Sequence, residues 1–462
     1  MRQFVDRNLL RRAHDAAVAY LESVPRRPVG PRATREELLA QLGVPLSRSG
    51  ESAEAVIDAL VRAAERGVTT SSSPRYFGFV IGGSMPVSVA ADWLTSAWDQ
   101  NAGSFVTSPL ASVVEDIARE WLLELFDLPR GASVGFATGC QMANFSALAA
   151  ARDAVLRRAA WNVEEQGMTG APPIQIVLGA EAHVTIYLAL RMLGFGTRTF
   201  RVVETDGEGR MRPHALRRAL LDVRGPCIVC AQAGNVNTGS VDPLREIAAL
   251  AHERDAWLHI DGAFGLWGRA SGERRPLLDG AELADSWATD AHKWLNVPYD
   301  NGIVIVRDSA AHRASMTATA AYLEQTAGAE RDPFDWVPEF SRRGRGITVY
   351  AALRHLGRDG VESLVDRLCM RARQMAALLR RDPRVTILND VVLNQVLVRF
   401  GNDDELTRRV IAGVKDDGTC WLGGTTWHEM AAMRISVSNW ATSEEDISTS
   451  AEAILRVLSR TP

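Results

Sequence analysis

The chain contains only two lysines, Lys293 and Lys415, so chemistry that requires a lysine has two possible residues to use. Lys293 follows a histidine in the segment 290–294, among tryptophan and leucine residues. Apolar surroundings disfavour the charged form of a lysine and make its amine nucleophilic. Lys415 precedes two acidic residues, which is typical of a solvated surface lysine. If the protein is a Schiff-base enzyme, Lys293 is therefore the lysine that forms the Schiff base.

Three further positions are candidates for the same site. Asp261 ends an apolar, strand-like run, where a buried acid must be paired; the other interpretation is an ordinary turn-forming aspartate. Residues 137–144 form a loop of small, hydroxyl and amide residues that opens a helix. The N–H groups of such a helix start bind anions, or the loop only caps the helix. His183 lies between a strand and a helix, where a histidine is either structural or catalytic.

Alternating helices and strands between residues 73 and 307 are expected to position these residues. Helical spacing predicts helices at 110–126, 142–160, 184–193, 213–221 and 243–254. Short apolar runs predict strands at 174–178, 200–203, 227–231, 257–260 and 303–306. The alternation indicates an α/β fold with a mostly parallel sheet covered on both faces. Ligands bind at the carboxyl ends of the strands in such sheets, which is where Asp261 stands.

The patterns divide the chain into three parts. Residues 1–75 are predicted to form a helical segment that packs on a partner subunit or, otherwise, on its own chain. Residues 76–345 form a large domain, in which 308–345 is irregular. Residues 346–462 form a small C-terminal α+β domain with a strand at 391–400.

Composition and motifs argue against several other classes of protein. The formal net charge is −4 and no long block of like charge occurs, so we expect no nucleic acid and no membrane as partner. The N-terminus has no signal-peptide core, and polar residues interrupt the uncharged stretch 131–151, so we expect a cytoplasmic protein. Cys227 and Cys230 face opposite sides of a predicted strand, and His428-Glu429 lacks the second histidine of a zinc-protease motif. We therefore expect no metal site.

The order of the candidate residues resembles a known family. The loop near residue 140, His183, Asp261 and the pair His292-Lys293 follow one another as in the group II pyridoxal-phosphate (PLP) decarboxylases. This family includes aromatic amino acid, histidine and glutamate decarboxylases. The resemblance covers nearly the whole chain and includes the segments 98–103, 108–109, 234–239 and 434–440. It implies PLP fold type I, which is the aspartate aminotransferase-like fold, and an obligate homodimer with the active site at the subunit interface.

The resemblance assigns four residues to the ring of the cofactor. It implies that Lys293 holds PLP as a Schiff base and that Asp261 keeps the pyridine nitrogen protonated. Ala263 then lies under the ring, and His183 stacks on its other face. Lys293, His183 and Asp261 are the expected catalytic residues. The physical chemistry agrees, because PLP withdraws electrons only while its ring nitrogen keeps its proton.

The remaining assignments concern the phosphate and the substrate. The resemblance implies that Cys140, Gln141 and His292 bind the phosphate, and that Ser341 reaches it from the neighbouring subunit. It also implies that Arg434, in the small domain, lies near the substrate.

Two segments bear on the substrate and the product. The strip 76–83, with Phe79 and Gly82, matches the substrate pocket of the aromatic decarboxylases. Here it is apolar, and the glycines leave space, which favours an aromatic or apolar substrate; alternatively it is a core strand with a glycine turn. In the family, a tyrosine on a mobile loop returns a proton to the substrate. The matching stretch 325–340 has no tyrosine; it contains Phe334, and Tyr322 lies just upstream.

The leading hypothesis is therefore a PLP-dependent decarboxylase that converts an L-amino acid, aromatic or apolar, into the amine and CO₂. The loop without tyrosine motivates a first alternative, an oxygen-dependent aldehyde synthase, because such enzymes of this family carry phenylalanine there. Another PLP reaction on the same scaffold, such as transamination or aldol cleavage, is a second alternative. A non-catalytic relative is a third, against which stands the joint retention of Lys293, His183 and Asp261.

Overall fold

The computed structural model describes residues 5–46, 48–317 and 330–462. The strands are β1 (Ser133–Ala137), β2 (Gln175–Gly179), β3 (Arg201–Val203), β4 (Cys227–Gln232), β5 (Trp257–Asp261), β6 (Ser286–Asp290), β7 (Gly302–Val306), β8 (Val385–Ile387), β9 (Gln395–Phe400), β10 (Gly423–Trp427) and β11 (Met430–Ser436). The helices are α1 (Arg7–Ser23), α2 (Arg35–Leu42), α3 (Ala53–Gly67), α4 (Pro86–Trp98), α5 (Pro109–Leu125), α6 (Cys140–Arg158), α7 (Val163–Gln166), α8 (Val184–Met192), α9 (Pro213–Leu220), α10 (Leu244–His252), α11 (Ser309–Met316), α12 (Gly346–Leu379), α13 (Asp404–Asp417) and α14 (Glu444–Arg460).

A seven-stranded sheet forms the centre of the large domain, in the order β1-β7-β6-β5-β4-β2-β3. The strands from β6 to β3 are parallel, while β7 runs antiparallel to both of its neighbours. Consequently β1 points the same way as the parallel strands, and its carboxyl end lies on the same edge. The predicted α/β fold with a mostly parallel sheet is confirmed.

Helices cover both faces of this sheet, as the sequence predicts. One face packs against residues of α9 and α10, the other against residues of α6, α8 and α11. Cys227 and Cys230 of β4 are buried on opposite faces, which confirms the interpretation of two core cysteines. In the described part of the chain, no cluster of three or more histidine, cysteine or acidic side chains could hold a metal ion.

A four-stranded antiparallel sheet, β10-β11-β9-β8, forms the core of the C-terminal region together with α13 and α14. The long helix α12 leads from the large sheet to this region and is kinked at Gly357, where φ is 61°. Only glycine adopts such a conformation without strain, so this residue allows the helix to change direction.

The N-terminal helices bury little of their apolar surface within the protomer. Helices α1 and α2 contain no buried residue, and α3 contains one, Ala63. Leu10, Leu60 and Trp93, on α1, α3 and α4, are all at least 40% exposed. An amphipathic helix normally hides its apolar stripe, so this surface lacks its cover in a single protomer.

The predicted helices and strands of the region 73–307 lie within a few residues of the observed ones. Strands β1, β6, β8, β10 and β11 were not predicted, and the strand predicted at 391–400 begins only at Gln395. The stretch 308–345, expected to be irregular, includes helix α11. Among the described residues, no helix combines the length and apolar character needed to cross a membrane.

Candidate active site

Four loops meet at the carboxyl edge of the large sheet. The loop after β1 leads into α6 at Cys140, and the loop after β2 leads into α8 behind His183. Asp261 is the last residue of β5, and Lys293 follows the end of β6 by three residues. Because these strands point the same way, residues that are far apart in the sequence converge here.

Lys293 lies at the centre of this edge with its side chain mostly buried. Its Nζ is 2.9 Å from Oδ2 of Asp290. Burial alone lowers the pKa of Lys293, but the carboxylate of Asp290 and the neighbouring Cys140 and Asp261 outweigh it, and the net shift is upward. Trp294, which follows in the sequence, is buried and fixes the backbone below the lysine.

Asp290 is a site residue that the sequence analysis missed. Its Oδ1 accepts a hydrogen bond of 2.6 Å from the backbone N–H of Cys140, and lies 3.5 Å from Nε2 of His292. The signal available in the sequence was its position three residues before Lys293. The strand that presents it, β6, reads as a mixed run of polar and apolar residues and was not recognised.

Asp261 is buried, and one of its oxygens is engaged. Oδ1 accepts a hydrogen bond of 3.2 Å from the backbone N–H of Ala263 and one of 3.5 Å from Sγ of Cys140. Burial raises the pKa of the Cys140 thiol, which therefore keeps its proton and donates. No described residue forms a hydrogen bond or ion pair with Oδ2 of Asp261. One carboxylate oxygen thus remains for a ligand with a proton to donate.

His183 caps the start of α8. Its Nδ1 lies 2.8 Å from the hydroxyl of Thr185 and accepts from the backbone N–H of that residue. Burial lowers the pKa of His183, and Lys293 and Arg434 lower it further, while Asp261 acts in the opposite direction. The imidazole is therefore neutral at pH 7, which suits a ring that stacks on a flat ligand.

His292 is held between a backbone and an aromatic ring. Its Nδ1 accepts a hydrogen bond of 3.1 Å from the backbone N–H of Asn301. Its ring stacks on Tyr299 with the centroids 4.1 Å apart. Burial lowers the pKa of His292, so its Nε2 carries the single proton of the neutral ring and faces Asp290. Tyr299 is a second site residue that the sequence analysis did not single out.

The residues predicted to contact the substrate fall into two groups. Arg434, on β11, is partly buried, and no described residue forms a hydrogen bond or ion pair with its guanidinium. Burial lowers the pKa of Arg434, and its charge in turn helps to lower the pKa of His183. Phe79 is exposed and stacks on Trp421, which also stacks on Tyr76.

Gly82 adjoins Lys293, but for a different reason from the one the sequence suggested. A Cβ atom at Gly82 would lie 1.8 Å from the carbonyl oxygen of Lys293. The space beside this glycine is therefore filled by backbone and does not hold a substrate side chain. The prediction that Gly82 leaves space is wrong, and its role in binding the substrate stays a prediction.

Ser341, the residue predicted to act from the neighbouring subunit, is exposed on the surface of the protomer, next to the buried Arg342. Arg342 ties this segment to the large domain through the backbone oxygens of Ala102 and Phe136, at 2.8 and 2.7 Å. The segment 98–103 thus holds the loop that presents Ser341 outward.

The structure describes only part of the segment 325–340, which matches the loop that carries the proton-donating tyrosine in the family. Tyr322 and residues 325–329 lie outside the described residues. Phe334 is buried, donates its backbone N–H to the oxygen of Gly103, and stacks on Phe340 with the centroids 5.0 Å apart. Phe334 is therefore a packing residue of the protomer.

Together these groups fit PLP, and each suits one part of it. A primary amine suits the carbonyl, a carboxylate oxygen without a partner suits the protonated pyridine nitrogen, and a neutral imidazole suits a ring face. The start of α6, at Cys140 and Gln141, suits the phosphate. The other lysine, Lys415, lies over the ring of Trp421 at 4.9 Å and is not part of this set.

Comparisons with known proteins agree with this chemistry. The family model described as "Pyridoxal-dependent decarboxylase conserved domain" matches residues 36–401. An aromatic-L-amino-acid decarboxylase of Bacillus atrophaeus is 26% identical over 456 residues, which are 96% of this chain and 93% of that protein. A 4-hydroxyphenylacetaldehyde synthase of Rhodiola rosea is 28% identical over 457 residues, which are 94% of this chain and 91% of that protein.

A solved structure shares the fold over the whole length. The crystal structure of Oryza sativa TDC with PLP and tryptamine superposes with a TM-score of 0.92 at 23% identity, and covers 100% of this chain and 99% of that one.

Proposed function

Because the chain belongs to the pyridoxal-dependent decarboxylase family, we propose that it decarboxylates an L-amino acid with an aromatic or apolar side chain. Its fold is PLP fold type I, its cofactor is PLP and its reaction is the decarboxylation of an amino acid. The observation that carries the proposal is that Lys293, Asp261 and His183 lie around one edge of the sheet, with the Nζ of Lys293 buried among them.

Bound PLP supplies an electron sink for the electron pair that CO₂ leaves on the α-carbon. Lys293 would hold the cofactor covalently through Nζ. Oδ2 of Asp261 would accept a hydrogen bond from the protonated pyridine nitrogen and keep the proton on that nitrogen, because a nearby carboxylate favours the charged form. His183 would stack on the ring without adding a charge, and the small side chain of Ala263 would allow close approach at the opposite face.

The phosphate is bound at the start of α6. The helix dipole favours the charge of the anion, and the backbone N–H of Gln141 would donate to it, because that of Cys140 already donates to Oδ1 of Asp290. His292 donates from Nε2, since its Nδ1 already accepts from Asn301. Ser341 of the second subunit would complete the phosphate-binding set, in keeping with its exposure on the surface of the protomer.

The substrate side chain is bound by an aromatic wall. Tyr76 and Phe79 both stack on Trp421, with centroids 5.0 and 5.6 Å apart, and Phe79 is exposed toward solvent. A flat or apolar side chain gains contact area there, whereas a carboxylate would lose its hydration. The guanidinium of Arg434, which is partly buried and has no described ion-pair or hydrogen-bond partner, would attract the carboxylate of the substrate.

The assembly we propose is a homodimer with the active site at the subunit interface. The exposed apolar residues of α1, α3 and α4 support it, since a second copy would cover them. The chain accordingly divides into the helical segment 1–75, a PLP-binding domain at 76–345 and a small domain at 346–462. A cytoplasmic location is in keeping with the five cysteines, which are all buried and free.

Subunit mixing tests the shared site. Lys293→Ala removes the lysine that one subunit supplies to each active site, and Ser341→Trp removes the serine that the other subunit supplies. Each variant homodimer is therefore expected to be inactive. Hybrid dimers contain one intact site, and random mixing should restore about a quarter of the wild-type activity. Activity no higher than the sum of the parents, or full activity of Ser341→Trp alone, would contradict a site shared between subunits.

The reaction itself is tested on the purified protein with PLP and a panel of L-amino acids. CO₂, amine and oxygen uptake are measured in one vessel. We expect equal amounts of CO₂ and amine without oxygen uptake, and the best turnover with aromatic or apolar substrates. Lys293→Ala should abolish turnover and the visible absorbance of bound PLP, while the matched control Lys415→Ala should retain both. Turnover by Lys293→Ala would refute the assignment of the lysine.

The second candidate function is an oxygen-dependent aldehyde synthase, favoured by the 28% identity to the Rhodiola rosea enzyme. Against it stands Phe334, which is buried in contact with Phe340 and therefore not available to the substrate. CO₂ accompanied by matching oxygen uptake, hydrogen peroxide and aldehyde would establish this function in place of simple decarboxylation.

A further inference from the structure

Asp290 contacts three groups of the active site at once. Its Oδ2 lies 2.9 Å from Nζ of Lys293, and its Oδ1 accepts 2.6 Å from the backbone N–H of Cys140 while facing Nε2 of His292 at 3.5 Å. The first contact is to the lysine that binds the cofactor, and the second is to the helix start that binds its phosphate. No role has so far been assigned to this carboxylate.

The backbone of Asp290 leaves its side chain little freedom to move. The residue ends β6 and pairs with Gly302 of β7. Its N–H donates to the oxygen of Ala263 at 2.9 Å, and its own carbonyl accepts from Nε1 of Trp267 at 3.0 Å. Its side chain is 3% exposed. The contact with Lys293 is therefore built into the sheet and does not depend on a mobile loop.

We propose that Asp290 is a positioning residue that holds the side-chain nitrogen of Lys293 as an ammonium ion, and holds it at the start of α6, whenever that nitrogen is not bonded to the cofactor. This is the case before PLP is loaded and while the substrate occupies the cofactor. The contact keeps the released lysine in place and charged. Its side chain therefore does not move into the substrate pocket, and its nitrogen does not react as a free amine.

The groups that surround Lys293 allow this assignment. Those whose charges act on it, or that sense its charge, come from β5, β6, α6 and the adjoining loops: Asp290, Asp261, Cys140, His183, His292 and Tyr299. Of these, Asp290 makes the ion pair. Burial is the largest single influence and lowers the pKa of Lys293, and Asp290 is the first of the groups that raise it. Removing this carboxylate should therefore reverse the balance in favour of the neutral amine.

The chain is suited to a direct test, because Lys293 and Lys415 are its only lysines. The cofactor-free protein is labelled with a trace of acetic anhydride between pH 7 and 11, and the two lysine peptides are measured by mass spectrometry. Lys415 is the internal standard in every sample. The rate at which Lys293 is labelled reports its neutral fraction directly and does not require any enzymatic activity.

The decisive variant is Asp290→Asn, which keeps an acceptor oxygen for the N–H of Cys140 and removes the charge. Loss of a neighbouring opposite charge lowers a lysine pKa by about one to three units, so Lys293 should be labelled at least ~10-fold faster at pH 8 than in the wild type. Asp300→Asn is the matched control. Asp300 is an exposed acid on the same loop that pairs with Arg345, and its removal should leave the labelling of Lys293 unchanged.

The second readout is the loading of PLP. A neutral amine bonds to a carbonyl and an ammonium ion does not, so Asp290→Asn should develop the visible absorbance of bound PLP faster than the wild type. Unchanged labelling of Lys293 in a folded Asp290→Asn protein would overturn the proposal. The proposal would also be overturned if, in the wild-type protein, the pH midpoint for labelling of Lys293 were at or below that of Lys415. This measurement needs no variant.

The inference rests on the proposed function only for the identity of Lys293 as the cofactor lysine. The two can fail separately. If labelling follows the expectation but no amino acid is decarboxylated, the proposed function fails and the ion pair stands. If amines form but the labelling of Lys293 ignores Asp290, the proposed function stands and the positioning role fails.

Discussion

Replacing Glu115 by glutamine removes a carboxylate that lies between two buried arginines. Glu115 Oε1 is 2.7 Å from Nη1 of Arg342, and Oε2 is 3.8 Å from Nη2 of Arg331. The three side chains are between 0 and 5% exposed. Burial lowers the pKa of Arg331 to about 10 even while Glu115 is present to oppose it. Without the carboxylate, the hydrogen-bond acceptors that remain for the two cations are backbone oxygens.

The expected loss of unfolding free energy follows from the burial of the three side chains. Breaking a buried ion pair by removing one partner costs about 3–5 kcal/mol, because it leaves a charge without compensation. The pair between Glu124 and Arg358 provides a matched control, since it is equally short at 2.6 Å but has both side chains about half exposed. A pair of that kind contributes only about 0–1 kcal/mol. Glu115→Gln should therefore cost at least ~2 kcal/mol more than Glu124→Gln.

Urea unfolding measures the difference. Wild type, Glu115→Gln and Glu124→Gln are compared at one protein concentration and without PLP, because both dimerisation and cofactor binding stabilise the folded state. Glu115→Gln should also bind PLP more weakly, since Arg342 anchors the loop that presents Ser341. Equal losses of unfolding free energy in the two variants would refute the reasoning from burial.

Two further predictions concern packing and pH. Gly82→Ala should lower activity and PLP affinity by at least ~10-fold, because its Cβ would lie 1.8 Å from the carbonyl oxygen of Lys293; Gly131→Ala, where nothing lies within 4 Å, should change neither. The pKa values of His259 and His312 are lowered by burial to about 3, whereas the unfolded chain takes up these protons near pH 6.5. Together these two histidines should therefore lower the free energy of unfolding by about 2.7 kcal/mol per pH unit between roughly pH 6 and 4, and His312→Asn should remove about half of this contribution from the slope measured in urea titrations.

The strands that could be predicted from the sequence are those that consist of an uninterrupted run of apolar residues. Strand β4 reads Cys-Ile-Val-Cys-Ala, and all of these residues are buried. Strand β6 is buried just as fully but begins with Ser286, whose hydroxyl accepts from Nε1 of Trp257 and pairs with His259. A polar residue can be buried only if its hydrogen-bond partner is supplied. That partner lies on another strand, so it cannot be inferred from the residues next to Ser286 in the sequence.

The proposed catalytic residues also show which features of a site can be predicted from the sequence and which cannot. Lys293 could be identified because the chain has one other lysine, and Asp261 because it ends an apolar run. Asp290 could not, since what distinguishes it is the N–H of Cys140, a residue 150 positions earlier that the antiparallel strand β7 brings alongside. The order of residues thus predicts which edge of the sheet carries the chemistry. Which charges touch one another there depends on the pairing of strands.

Gly82 illustrates that a glycine can lie beside Lys293 for a physical reason other than the one predicted. A glycine in an apolar strip indicates either room for a ligand or close approach of two backbones, and the sequence does not distinguish them. The carbonyl of Lys293 occupies the space, so we propose that Phe79 and Trp421 select the substrate side chain instead. If that is correct, Trp421→Ala should weaken the binding of aromatic substrates more than that of small apolar ones. Because stacking on an aromatic ring is worth about 0.5–1.5 kcal/mol, the preference should fall by about 2- to 13-fold, as measured by the ratio of kcat/KM values. A ratio that does not change would place the side chain of the substrate elsewhere in the pocket.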